Sequence, residues 1–133
     1  MSMHKVLIVD DDADDREMAR DAFVIASSKT LDFHFMEDGD GLIDYLHKHI
    51  DNHPPSLILL DLNMPGKDGR ETLKEIKKHE RLQHIPVLVF TTSSSQHDKK
   101  TAYELGANCF ITKPDTFNKL TDLARCFITL WLH

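Results

Sequence analysis

Two kinds of apolar spacing alternate along the chain. Runs that are apolar at every position occur at Val6–Val9, Leu57–Leu60 and Val87–Phe90, each bounded by polar or turn residues. A segment with no polar face and several β-branched members reads as a strand covered on both sides, as in a parallel sheet. Two further strand segments are Leu31–Met36, which alternates with polar residues, and Asn108–Thr112. Between the runs the spacing changes to steps of three and four, the interval of an amphipathic helix. Ala13–Ala26 carries Met18, Ala19, Ala22, Phe23, Ile25 and Ala26 at that interval. Asp12 is placed to cap this helix, and Asp14, Asp15 and Glu17 suit the positive end of its dipole. Gly41–His49, Arg70–His79, Ser95–Leu105 and Thr116–Leu132 continue the series, the last through Phe117, Leu120, Leu123, Ala124, Phe127, Ile128 and Trp131.

Five strands alternating with five helices predict a doubly wound α/β fold with a parallel sheet. Right-handed crossovers put helices on both of its faces. The longest connection, His47–Ser56, contains Asn52, Pro54 and Pro55 and reads as a surface loop. No repeat or linker divides the 133 residues. The sequence therefore predicts one domain over 1–133, with its core at about 5–130.

Ligands of an open parallel sheet bind beyond the carboxyl ends of the strands, near a switch in strand order. The residues after each apolar run are then the informative ones. They are Asp10, Asp11 and Asp12 after the first, Asp61 and Asn63 after the third, Thr91 and Thr92 after the fourth, and Lys113 and Pro114 after the fifth. Carboxylates crowded on one rim repel one another, and a hard divalent cation relieves that repulsion. Asp11 and Asp61 as direct ligands, Asp10 through water and the Asn63 backbone carbonyl suit Mg²⁺. A carboxylate also attacks phosphorus to form an aspartyl phosphate, and Thr91 and Lys113 are placed to donate to its oxygens. Phosphoryl transfer needs this positioning and charge neutralisation more than covalent chemistry by the protein.

Composition narrows the alternatives. The net charge of −6, from 22 acidic against 16 basic residues, argues against nucleic acid as a direct partner. The apolar runs are too short to span a bilayer, and no leader pattern precedes the first strand, so a cytoplasmic protein is expected. Cys109 and Cys126 form no CxxC or zinc spacing and read as reduced packing residues. His47, His49 and His53 lie close together, but their spacing fits no zinc pattern, and they are read as exposed loop residues. The apolar character spread around the last helix fits either full packing or an exposed patch that joins two copies.

Val9-Asp10-Asp11, Asp61-Leu62-Asn63-Met64-Pro65-Gly66-Lys67-Asp68-Gly69, Thr91-Thr92 and Lys113-Pro114 together resemble the signature of response-regulator receiver domains. An Asp-Asp pair alone is weak, whereas four motifs in this order at four strand ends are specific. The resemblance runs from Lys5 to Leu130 and implies a flavodoxin-like sheet of order 2-1-3-4-5. It implies a signalling module of a two-component system, not an enzyme. Asp61 would accept a phosphoryl group from a sensor histidine kinase or phosphotransfer protein, Asp10 and Asp11 hold Mg²⁺, and Lys113 pairs with the phosphate. Thr91 and Phe110 would form the switch, Phe110 standing where many members have Tyr and reading the change by packing alone. The bulk of Thr92 bears on dephosphorylation, and a cis peptide before Pro114 is implied.

A narrower similarity, in Thr91–Ser94, Gly106–Pro114 and Trp131-Leu132, is to the single-domain regulators that partner phytochrome-type kinases. That subgroup implies a homodimer through the fourth helix, last strand and fifth helix. Two other readings stand beside the receiver. A haloacid-dehalogenase-type phosphohydrolase also uses an Asp nucleophile with Mg²⁺, but it needs a second Asp where this chain has Asn63. A phosphorylation-independent adaptor would be marked by loss of an acidic residue or the lysine, and all are present. The downstream protein is not legible.

Overall fold

A computed structural model describes residues 3–64 and 68–133, so Pro65, Gly66 and Lys67 of the Asp61 motif lie outside the described residues. Ten elements alternate: β1 (Lys5–Val9), α1 (Ala13–Ala26), β2 (Asp32–Met36), α2 (Gly39–Lys48), β3 (Leu57–Leu60), α3 (Gly69–Lys78), β4 (Val87–Thr91), α4 (Gln96–Glu104), β5 (Cys109–Thr112) and α5 (Phe117–Trp131). The strands form one parallel sheet in the order β2-β1-β3-β4-β5. Among the described residues no helix is long and apolar enough to cross a membrane.

The continuous apolar runs are the three central strands, and their alternation serves two layers. Val6, Ile8, Leu57, Leu59, Leu88 and Phe90 face α1 and α5, where they meet Ala19, Ala22, Phe23, Leu120, Ala124 and Phe127. Leu7, Val9, Ile58, Leu60, Val87 and Val89 face the opposite way, against Leu42, Leu46, Leu73, Ile76 and Ala102 of α2, α3 and α4. Every position of the apolar runs is covered and none is polar, and the buried polar residues of these strands, Lys5 and Thr91, stand at their termini. That is why the first polar residues, Asp10 and Asp61, fall together on the rim.

Several boundaries move by one or two residues. Asp38 caps α2, its side chain accepting from Gly41 N, so the helix starts at Gly39 rather than Gly41 and ends at Lys48 rather than His49. Paired glycines conceal that start because they lower helix propensity. Asp12 caps α1 as expected, accepting from Asp14 N and Asp15 N. The buried stripe of α1 is narrower than its sequence spacing: Ala19, Ala22 and Phe23 are buried, while Met18 and Ile25 are 44% and 59% exposed.

On α5, Phe127 is buried, Trp131 packs partly against the same layer with ring centroids 6.3 Å apart, and Leu130 is exposed. The last helix is thus packed along one side and bare on the other. Cys126 is exposed, not a packing residue, whereas half-buried Cys109 does pack. Of the three histidines read as exposed loop residues only His53 is one, because His47 lies in α2 and His49, at its C-cap, is half-buried. His47 meets the His79 ring, His49 lies tilted against the Tyr45 ring, and His53 contacts the Met3 carbonyl.

Candidate functional site

β1 and β3 are neighbours because the chain crosses β1 on its way from β2 to β3, and that crossing is the switch in strand order. The ladder continues past the strands and fixes the rim: Asp10 N donates to Met36 O, Asp61 N to Val9 O, and Lys113 N to Thr91 O at 2.7 Å. Asp10 and Asp61 are buried, Thr91 is fully buried and Asp11 is exposed. One carboxylate oxygen from each of Asp10, Asp11 and Asp61 can be chosen so that all lie within 4.8 Å of one another. Among the described residues this is the group of acidic, His or Cys side chains that can enclose a cation. An all-oxygen donor set with one solvent-facing member fits a hard divalent ion that keeps some of its waters.

Lys113 reaches this rim from β5. Its Nζ lies 2.6 Å from Asp10 Oδ2, 2.9 Å from Asp15 Oδ2 and 3.5 Å from Asp61 Oδ2, above the Phe90 ring. Burial alone would lower the Lys113 pKa, but the hydrogen-bonded Asp10 and Asp15 carboxylates outweigh it and hold the ammonium above the ordinary lysine range. Burial likewise raises the Asp10 carboxyl above its usual value, against the pull of Lys113 and the Asp12 N–H. The peptide before Pro114 is trans, since no described peptide bond is cis. The cis bond implied by the resemblance is therefore absent, and Lys113 reaches the rim through its own length and the Thr91 carbonyl contact.

Thr91 closes the other side. Its Oγ1 accepts from Asn63 Nδ2 and from Ser93 N, both at 3.3 Å, while Asn63 N donates to Asp61 Oδ1 at 3.2 Å. Thr92 is exposed beside it. Phe110 is half-buried against the α2–α4 layer, and its N–H donates to the Tyr103 hydroxyl at 3.1 Å. Residues 6–125 match the family model of the response regulator receiver domain. The chain belongs to that family.

Its relatives agree with the assignment. The response regulator Rcp1 of Synechocystis sp. (strain ATCC 27184 / PCC 6803 / Kazusa) is 36% identical over 133 residues, 96% of this chain and 88% of that protein. The crystal structure of the Mn²⁺-bound form of Rcp1 is similar at 34% identity, covering 98% of this chain and 95% of that one, with a TM-score of 0.85. The structure of the phosphorylated cyanobacterial phytochrome response regulator RcpA is similar at the same identity and coverage, with a TM-score of 0.90. The five-stranded 2-1-3-4-5 sheet expected of a receiver is the one observed.

Receiver motifs alone do not point to three residues that the structure brings to the rim. Asp15 binds Lys113. A sequence signal existed for it: Asp15 lies four residues before Ala19 on the buried stripe of α1, and a carboxylate on a buried stripe needs a cation opposite. Arg16 donates to the Asp10 carbonyl at 2.6 Å and steadies the turn after β1. Asp98 of α4 accepts from Ser93 Oγ at 2.7 Å and from Arg70 Nη2 at 2.8 Å, tying the loop after Thr91 to α3. Both contacts hold the Asp98 carboxyl below its usual range. Nothing in the sequence spacing indicates that pair, because its partners are brought together only by the order of β3 and β4.

Proposed function

We propose that this receiver domain is switched by phosphorylation of Asp61 and that its output is binding to another protein. The observation that carries the reading is the convergence of Asp10, Asp61 and Lys113 on one buried point, with Asp11 completing an oxygen cage beside it. Asp10, Asp11, Asp61 and the Asn63 carbonyl would hold Mg²⁺, which when bound neutralises charge on the phosphoryl oxygens. Asp61 supplies the nucleophilic carboxylate, and Lys113 donates hydrogen bonds to the transferred group without giving up a proton. Thr91 already uses its lone pairs on Asn63 and Ser93, so its O–H is the donor it has to offer a phosphate oxygen. A phosphorylated relative and a Mn²⁺-bound one support the same reading. The donor is a sensor histidine kinase or phosphotransfer protein, and the residues 1–133 act as one cytoplasmic signalling domain, without a substrate of their own. Intact mass after incubation with acetyl phosphate and Mg²⁺ tests it. One phosphoryl adduct is expected on the native chain and none on Asp61→Asn, and an adduct that persists in the variant would refute the acceptor.

The switch follows from Thr91 and Phe110. When Thr91 turns toward a phosphate it leaves Asn63 and Ser93, and Phe110 repacks against the space it vacates, shifting the population of the α4-β5-α5 face. Phe110 is half-buried and Tyr103, its hydrogen-bonded neighbour, is 44% exposed, so the change emerges on a surface. A second copy of the chain is one partner for that face, alongside a downstream protein. Sedimentation equilibrium should show a mass that rises on phosphorylation in the native chain and does not rise in Phe110→Ala, although that variant still takes up phosphate. An equal rise in both would rule out the route through Phe110.

A further inference from the structure

Asp15 stands outside the group of carboxylates that can enclose a cation, yet it holds Lys113 more closely than the phosphoacceptor does. The distances to Nζ are 2.9 Å from Asp15 and 3.5 Å from Asp61. An ammonium has three protons to donate, and Asp10, Asp15 and Asp61 are the three acceptors around it. Asp15 is also the most solvated of the three, its side chain 37% exposed against 6% and 9% for Asp10 and Asp61. It therefore meets Lys113 from the solvent side, whereas its two competitors meet it from the buried side.

We propose that Asp15 is a positioning residue that holds Lys113 back from Asp61 and so limits the rate at which Asp61 takes up a phosphoryl group. The inference rests on the phosphoacceptor reading of Asp61. With acetyl phosphate as donor, an Asp61 carboxylate oxygen forms the new bond to phosphorus. The donor's P–O bond breaks, and acetate leaves with the bonding pair. No proton moves, and Lys113 stays an ammonium. Its value in that step lies in following the charge on the phosphoryl oxygens, which it can do only as far as its other partners release it. Asp15 resists twice, by bonding Lys113 and by adding a negative charge beside the path of an anionic donor.

Releasing Lys113 has the opposite consequence for the cation. Without Asp15 the ammonium settles on Asp10 and Asp61, both in the metal-binding group, and competes there with Mg²⁺. One substitution should therefore speed phosphoryl uptake at saturating Mg²⁺ while loosening Mg²⁺ itself. A misfolded rim would depress both. Asp14 provides the charge control, because it sits in the same first turn of α1, is exposed and carries the same charge.

The experiment compares native protein with Asp15→Asn, Asp14→Asn and Asp15→Glu. Phosphorylation is followed by intact mass with acetyl phosphate at saturating Mg²⁺, and Mg²⁺ binding by calorimetry without donor. Asp15→Asn is expected to raise the second-order rate constant about fivefold and to weaken Mg²⁺ binding about threefold, the scale of one partly exposed ion pair. Asp14→Asn should leave both near native, and Asp15→Glu, which still reaches Lys113, should restore them. A native rate in Asp15→Asn, or equal shifts in the Asp14 and Asp15 variants, would overturn the proposal. Failure of the native chain to form any adduct would overturn the Asp61 reading itself and this inference with it, a result visible before any Asp15 variant is made.

Discussion

Lys113→Met should destabilise the protein by about 2–3 kcal/mol at neutral pH without Mg²⁺, measured by urea unfolding. Removing one partner of a buried ion pair costs about 3–5 kcal/mol because the other charge stays behind, and partial exposure of Asp15 lowers that figure here. Asp10 and Asp61, almost fully buried, would face each other with no cation between them. The sign of the pH dependence follows from Asp10, whose carboxyl burial already raises above its value in an unfolded chain. A group raised in the folded state contributes stability at low pH that is lost as pH rises through its folded pKa. With Lys113 gone the rise is larger, so the deficit of the variant should be small in acid and grow toward neutral pH. Added Mg²⁺ should recover much of it through binding to the folded state alone. A variant as stable as the native chain at pH 7 would mean that Lys113 is not the counter-charge of this rim.

Gly69→Ala should cost about 3 kcal/mol, or prevent folding, at a residue that bears no chemistry. A Cβ at Gly69 would lie 2.5 Å from the Asp61 carbonyl oxygen and 2.7 Å from Leu62 Cα. Both are backbone atoms, so no side-chain rotation relieves the overlap. The start of α3 presses directly on the strand end that carries Asp61, with Gly69 N donating to Leu62 O at 3.2 Å. The requirement is one of close approach: Gly69 does not have a positive φ, and among the described residues Gly106 is the one that does. Gly41→Ala is the natural comparison, since a Cβ there meets side chains alone, the Asp38 carboxylate at 3.2 Å and Met36 at ordinary contact distance. Urea unfolding of the two variants separates them. Equal stabilities would remove the contact argument.

The three central strands were legible because burial on both faces leaves an apolar run with no polar interruption. The same fact made Asp10 and Asp61 legible as the first polar residues after those runs, whereas Lys113 follows the partly buried β5 and the polar Thr112. Edge strands carry less signal. β2, at the sheet edge, mixes Asp32 and His34 with Phe33, Phe35 and Met36, all half-buried except Phe35, which is 43% exposed. Asp15 and Gly69 were harder for different reasons. Asp15 has the composition of an ordinary helix start, and only its register with Ala19 marks it as inward. Gly69 shows its necessity only through the two backbone atoms it touches, which lie seven and eight residues earlier in the chain.

The two apolar layers have no side chain in common, separated throughout by the backbone of the sheet. Substitutions in one layer should then combine with those in the other by simple addition, as they do for distant sites without shared partners. Lys113, Asp15 and Phe90 belong to the α1–α5 side, and Phe110 and Tyr103 to the side of α4. A lineage can therefore repack one side for stability without having to repack the other.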